Sequence, residues 1–280
     1  MKTIIFALAA TLTSALAQDK VVKLWPNEVP GEKEAKADHV ILIRKKGGIA
    51  RISKVTDPSY TVYLPEKTTG TTPAVVILPG GGYSILAHEH EGSMVAEILK
   101  KNGIAAFVLH YRVPRKKEGA LQDAQRCMSM VRSKAKEYNI DPQKLGIMGF
   151  SAGGNLTARV CSHYKTQSYP KQDAHDDASS KPNFSGLIYP AYMDKGENKS
   201  LSPDLIVDKD TPTTFLFTAF DDFAYVNGSL VYASALQKAK VPYSLEIIPK
   251  GGHGFGISAR NKDIEAWPGK FVKWVKEVTK

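Results

Sequence analysis

The stretch Lys144 to Leu156, KLGIMGFSAGGNL, constrains this chain most, because an apolar run from Leu145 to Phe150 breaks at Gly149-Phe150-Ser151-Ala152-Gly153 and gives way to a helix-compatible segment. The pattern has the form of a nucleophile elbow. A serine in that turn sits in a strained backbone conformation between strand and helix, so the residues two places on either side must be small. Gly149 and Gly153 meet that requirement and lift Ser151 above the end of a sheet. The N–H of Ala152 then points to where an oxyanion would form. Gly-x-Ser-x-Gly also arises in ordinary turns, so the reading needs support from elsewhere in the chain.

The sheet around the elbow is legible in the periodicity. Ala74 to Leu78 and Ile104 to Leu109 are continuous apolar runs, with a helical segment Met94 to Lys101 between them. In Glu118 to Tyr138, Leu121, Ala124, Met128, Val131 and Ala135 recur at spacings of three and four, which predicts one apolar helix face. Leu187 to Tyr189, Thr214 to Thr218 and Tyr243 to Ile248 predict further strands, and Leu230 to Ala239 and Phe271 to Thr279 further helices. Buried strands alternating with helices imply a mainly parallel sheet covered on both faces, an α/β fold without a large separate cap. Upstream, Val40 to Ile43, Ile49 to Val55 and Tyr60 to Leu64 read as antiparallel edge strands. Residues 18–37, with Pro26, Pro30 and Gly31, read as an extended arm on the surface of a domain spanning 18–280. Two polar stretches, Lys165 to Asn183 and Met193 to Asp210, interrupt the alternation and are expected as loops able to overhang a site.

The start of the chain has its own pattern. Lys2, an apolar run from Ile4 to about Leu12 and the small-residue triplet Ala15-Leu16-Ala17 have the form of a cleavable signal peptide over 1–17, implying a secreted or periplasmic protein. Thr11, Thr13 and Ser14 interrupt the run short of the roughly 20 residues a bilayer span needs, so no stable membrane insertion is expected.

A net charge of +10 is compatible with acidic polymers. Its short clusters, Arg44-Lys45-Lys46 and Arg115-Lys116-Lys117, lack the interleaved aromatics of nucleic-acid motifs, and no nucleic-acid partner is expected. Oligomeric state is left open. Cys127 and Cys161 both fall in predicted helices, where a disulfide and two buried thiols remain alternatives.

A serine hydroxyl becomes a nucleophile when a base takes its proton, and a carboxylate holds that base in the right tautomer. His253, framed by Gly251, Gly252, Gly254 and Gly256 after the last predicted strand, is the candidate base. Asp221 and Asp222 end the strand Phe215 to Ala219. Asp222 is preferred as the acid because Phe223-Ala224-Tyr225-Val226 follows it, with Asp221 its competitor. A second oxyanion donor is expected from Gly81 and Gly82 in Pro79-Gly80-Gly81-Gly82-Tyr83. That triple glycine lacks the Lys-Ser/Thr pair of a phosphate loop. His88-Glu89-His90-Glu91 carries ligating side chains, but histidines two residues apart do not share a helix face, so it reads as a polar loop near the pocket. No metal or organic cofactor is expected. Tyr83, Tyr189, Phe223 and Tyr225 fall in site loops, where substrate contact and core packing are both open.

Taken together, PGGGY, YRVP at Tyr111 to Pro114, LQDAQR at Leu121 to Arg126, IDPQKLGIMGFSAGGNL, DTPTTFLFTAFDD and VPYSLEIIPKGGHGFG resemble the α/β-hydrolase superfamily from about Tyr60 onward. More narrowly they resemble secreted carbohydrate esterases of the acetyl-xylan and feruloyl type. Pro79 stands where hormone-sensitive-lipase-like esterases carry His, and the D-x-x-V-P turn of many relatives is altered around Asp222 to Val226. The resemblance implies a serine ester hydrolase with Ser151, Asp222 and His253 catalytic and with Gly81, Gly82 and Ala152 around the oxyanion. It implies an acylated carbohydrate or small ester as substrate. A prolyl-oligopeptidase-like peptidase and a non-catalytic polysaccharide-binding protein on the same fold are the competing expectations.

Overall fold

A computed structural model describes residues 20–43, 49–66 and 68–280. The leader expected over 1–17 and the Arg44-Lys45-Lys46 cluster lie outside the described residues. The centre is an eight-stranded sheet ordered β1-β4-β6-β5-β7-β8-β9-β10. These strands are β1 (Lys20–Lys23), β4 (Ser59–Tyr63), β5 (Thr72–Leu78), β6 (Ala105–His110), β7 (Ile140–Phe150), β8 (Phe184–Ile188), β9 (Thr213–Ala219) and β10 (Tyr243–Ile248). From β6 to β10 every neighbouring pair is parallel, while β4 runs antiparallel to both β6 and β1.

The helices are α1 (Met94–Lys101), α2 (Lys117–Ser133), α3 (Ala135–Tyr138), α4 (Ala152–His163), α5 (Val226–Lys238) and α6 (Lys262–Val278). Successive strand side chains leave on opposite faces, and this divides the core. Ala74, Val76 and Leu78 of β5 pack with Leu121, Val131 and Leu156 of α2 and α4. Val75 and Ile77 pack with Val95 and Leu99 of α1 and with Trp267 and Phe271 of α6. Both faces of β5 are therefore dry, which is why it reads as an unbroken apolar run.

The order explains where a site must lie. From β5 the chain builds outward to β6 on one side, then returns to place β7 on the other, so β5 and β7 border the point where the winding reverses. The loops leaving their carboxyl ends diverge there and open a crevice. Pro79 to Tyr83 leaves β5, and Ser151 leaves β7.

Four expectations need refinement or correction. The arm is tied in more deeply than its sequence indicates: Lys20–Lys23 is an edge strand of the main sheet, and Leu24 and Trp25 are buried. Trp25 donates its indole N–H to Asp123 at 2.9 Å, and the Arg126 guanidinium donates to the Leu24 carbonyl at 3.1 Å. The strands β2 (Val40–Ile43) and β3 (Ala50–Ser53) pair with each other in a separate two-stranded sheet, which an antiparallel bridge from Ile52 to Leu86 ties to the body of the protein. The long second helix breaks at Lys134 into α2 and α3. The last helix starts at Lys262, ahead of Phe271, and runs through Pro268. Burial of Ile264 and Trp267 and the Asn261 side-chain cap on the Ile264 N–H, 2.9 Å away, outweigh the proline. Cys127 and Cys161 are free, buried thiols. Burial pushes the Cys161 thiol up to about 12, which disfavours its thiolate.

Candidate active site

Ser151 sits between β7 and α4 with φ 51° and ψ −116°, a conformation that costs on the order of 1–3 kcal/mol and persists only where its surroundings hold it. They do so through the backbone. The Ser151 N–H donates to the Ile188 carbonyl at 3.1 Å, and its carbonyl accepts from Ala191 at 2.9 Å and Asn155 at 3.1 Å. A Cβ on Gly153 would stand 2.0 Å from the Leu78 carbonyl oxygen, and one on Gly149 would stand 2.1 Å from that of Gly153. Only glycine fits at either place, because strand, turn and helix cross there at backbone contact.

The structure brings Ser151, His253 and Asp222 together from three segments. Ser151 Oγ is 2.7 Å from His253 Nε2, and His253 Nδ1 is 2.6 Å from Asp222 Oδ2. Asp222 is buried at the end of β9, and the imidazole remains open enough for a substrate to reach it. Asp221 points elsewhere: its Oδ1 accepts the N–H groups of Gly251 at 2.9 Å and Gly252 at 2.8 Å. The Gly252 N–H, with that of Gly251, holds its carboxyl below the usual carboxylate range. Two adjacent aspartates thus divide the work, one touching the imidazole and the other shaping its loop.

Ala152 is the first residue of α4, so its N–H belongs to the unsatisfied first turn at the positive end of the helix. Gly81 and Gly82 lie across the cleft. Gly81 has φ +130°, closed to other residues, and among the described residues neither glycine N–H has a hydrogen-bond acceptor. Gly80 differs, since its N–H donates to Glu91 Oε2 at 2.7 Å. Glu91 Oε1 accepts from the Tyr189 hydroxyl at 2.8 Å, and that hydroxyl accepts the Gly256 N–H at 2.8 Å. One buried carboxylate and one buried phenol therefore tie the glycine loop to the histidine loop.

Burial holds the Glu91 carboxyl above its usual range. By sequence, residues 88–91 read as a polar loop near the pocket. The structure makes Glu89–Ser93 a π-helical turn with His90 and Glu91 buried, and no periodicity in the sequence could have paired Glu91 with Gly80. Among the described residues, no group of three His, Cys, Asp or Glu side chains is arranged to hold a metal.

A cleft of about 450 Å³ opens over Ser151 and His253, walled by Gly81, Gly82, Tyr192, Tyr225 and Arg51. The sequence missed Tyr192 and Arg51. Of the aromatic candidates, the Tyr225 ring lies 4.6 Å from the imidazole, and Tyr189 supports it from below at 5.2 Å. Tyr83 is buried and donates to Asn155 at 2.8 Å. Phe223 is 77% exposed and forms no part of the cleft wall. Neither polar stretch overhangs the cleft. Residues 165–183 are drawn against α2 by Arg126, Arg132 and Gln125, and residues 193–210 pack beside α4 and α5.

A family model described as BD-FAE matches residues 60–217. An acetylxylan esterase from Xylanibacter ruminicola is 33% identical over 243 residues, 77% of this chain and 47% of that protein, so the chain spans about half the length of this relative. Among solved structures, an acetyl ester-xyloside bifunctional hydrolase from Caldicellulosiruptor lactoaceticus superposes with a TM-score of 0.76 at 29% identity, covering 95% of this chain and 99% of that one. An alpha/beta hydrolase enzyme from a Medee basin deep-sea metagenome library superposes with a TM-score of 0.66 at 25% identity, covering 86% and 97%. The sheet order and these superpositions identify the α/β-hydrolase fold.

Proposed function

Because the chain belongs to the BD-FAE family, we propose that it is a carboxylic-ester hydrolase that removes O-acyl groups, acetyl foremost, from carbohydrate such as xylan, through an acyl-enzyme on Ser151. The observation that carries this reading is the continuous series from Ser151 Oγ through His253 to Asp222, 2.7 Å and 2.6 Å long, under a glycine loop whose Gly81 and Gly82 N–H groups have no acceptor among the described residues. The acetylxylan esterase and acetyl ester-xyloside hydrolase named above support the substrate class.

In the proposed reaction Ser151 Oγ attacks the ester carbonyl carbon while His253 Nε2 takes its proton. Asp222 fixes the Nδ1–H tautomer and stabilises the imidazolium. The carbonyl oxygen becomes an oxyanion received by the N–H of Ala152 and those of Gly81 and Gly82, each such donor contributing on the order of 3 kcal/mol to the transition state. His253 returns the proton to the departing sugar oxygen. Water, deprotonated by the same imidazole, then releases the carboxylic acid and regenerates Ser151. Every proton is accounted for by the protein and water.

Secretion is part of the proposal and rests on the sequence of residues 1–17 alone; the exported protein is expected to begin at Gln18 by N-terminal sequencing. No helix among the described residues is long and apolar enough to cross a membrane. The decisive assay is turnover of para-nitrophenyl acetate, acetylated xylan, a feruloyl ester and an acylated peptide by the wild type and by Ser151→Ala. Acetyl release that disappears in the variant supports the reading. Hydrolysis of the peptide alone would replace it with a peptidase, and inactivity of the wild type on all four would leave a binding protein.

A further inference from the structure

Of three consecutive cations at the start of α2, only the middle one is neutralised among the described residues. Lys116 Nζ is 2.8 Å from Glu32 and 3.1 Å from Glu34 of the arm. Arg115 and Lys117, both exposed, have no carboxylate partner among the described residues. Glu118, next in the chain, is taken by Arg159 at 2.7 Å.

The two free cations face a groove of about 330 Å³ lined by Gly82, Tyr83, Arg115, Lys117 and Tyr192, with no acid among them. Gly82 and Tyr192 also wall the cleft over Ser151, so the groove continues it. Lys117 Nζ stands 5.4 Å from the Tyr83 ring and 5.8 Å from the Tyr192 ring, and those rings are stacked 6.4 Å apart. The Arg115 N–H donates to the Tyr83 carbonyl at 2.7 Å, which binds this segment to the loop carrying Gly81 and Gly82. Lys195, also exposed, adds a charge 5.9 Å from the Tyr192 ring. A groove of this size suits a sugar residue, its half-buried Tyr192 ring offers an apolar surface to a pyranose, and its unpaired cations suit a carboxylate.

We infer that this groove is a subsite for a hexuronic acid residue carried by the substrate chain, with Lys117 and Arg115 receiving its carboxylate beside the scissile ester. The inference rests on the carbohydrate-ester reading above and narrows it to acidic, uronate-bearing xylan. Lys117 and Arg115 determine specificity and take no part in the bond-breaking steps.

The test is calorimetric titration of the protein with a xylotriose bearing one hexuronic acid and with xylotetraose, both free of acyl groups, so that binding is read without turnover. The charged ligand is expected to bind roughly fivefold more tightly at low salt, the size that two partly exposed ion pairs supply. That preference should vanish in Arg115→Gln/Lys117→Met and in about 0.5 M NaCl, and persist in Lys117→Arg. With the acetylated forms as substrates, the double variant should raise KM for the acidic oligosaccharide toward that of the neutral one with kcat little changed. Equal binding of the two ligands by the wild type, or a preference that survives the double variant, overturns the subsite. A protein that keeps the preference but hydrolyses no ester would overturn the esterase reading and leave the subsite standing.

Discussion

Two buried polar clusters in this molecule use the same chemistry to opposite ends. Around α2, Asp123 receives the Trp25 indole N–H, the Arg112 backbone N–H and the Arg112 guanidinium, all at about 2.9 Å. The guanidinium also donates to the carbonyls of Pro30 and Gly119 and to Gln122. Both charged side chains are at most 2% exposed. Every neighbour is another part of the same chain, so the cluster closes and pins the arm. Around β9, Asp222 is as deeply buried as Asp123 but holds an imidazole whose side chain is 31% exposed, and that imidazole ends on Ser151 Oγ in the cleft. Burial and charge-assisted bonding serve both clusters. What separates a brace from a candidate reaction centre is one open end, where an outside molecule can become the last partner.

Substitutions can break that contrast or sharpen it. Ser151→Ala should lower turnover of para-nitrophenyl acetate by about 10⁴-fold or more while leaving the melting temperature unchanged, because it removes the open end and disturbs no packing. Asp222→Asn should cost roughly 10³ to 10⁴-fold in kcat, by allowing the wrong imidazole tautomer, again with the fold intact. Asp123→Ala should do the reverse: unfolding in urea should show a loss of about 3–5 kcal/mol, since the Arg112 charge would be left buried without its counter-charge, and activity should fall only with the folded fraction. If Asp123→Ala is instead as stable as the wild type, the closed cluster is not a brace.

Asp221→Ala is expected to reduce kcat by no more than about tenfold, through loosening of the histidine loop rather than loss of a partner for the imidazole. Parity with Asp222→Asn would mean that the two aspartates have been assigned the wrong way round. The smallest effect concerns Glu91. Its folded carboxyl titrates above the 4.5 usual for glutamate, so between that value and the raised one the folded state holds a proton that the unfolded state has lost. Stability should therefore fall as pH climbs through that window and stay lower above it, by up to about 1.4 kcal/mol per pH unit. Glu91→Gln should lack that limb in unfolding measured from pH 4 to 8. An identical pH profile would show that burial does not govern the group.

How much was legible depended on whether the cause was local. The strand Tyr243–Ile248 and the helix Met94–Lys101 were readable to the residue because periodicity and flanking turns specify them. The elbow was readable because its strand, glycine-framed turn and helix start are contiguous and Gly149 answers a clash within five residues, although the clash that Gly153 avoids is with the distant Leu78 carbonyl. Ser151, Asp222 and His253 could be nominated from their order along the chain, yet the preference for Asp222 over Asp221 could not be settled there. It depends on how β9 and β10 align at their carboxyl ends, where Asp222 meets the imidazole and Asp221 the glycine amides. Arg112, Asp123 and Arg126 lie within YRVP and LQDAQR, two of the motifs that carry the family resemblance. Their task was invisible because their partners, Trp25, Pro30 and Asp173, lie 47 to 98 residues away.

The sequence by itself determined the alternation of strand and helix, the strained serine turn and the set of residues able to activate it, since sterics and periodicity act between near neighbours. Tertiary structure alone decided that Lys20–Lys23 of the arm becomes an edge strand, that Glu91 supports the glycine loop through Gly80, and that among the described residues Lys116 finds carboxylate partners while Arg115 and Lys117 beside the cleft do not. Those outcomes turn on which distant groups arrive within 3 Å of one another, and the pattern of a chain does not encode that distance one residue at a time.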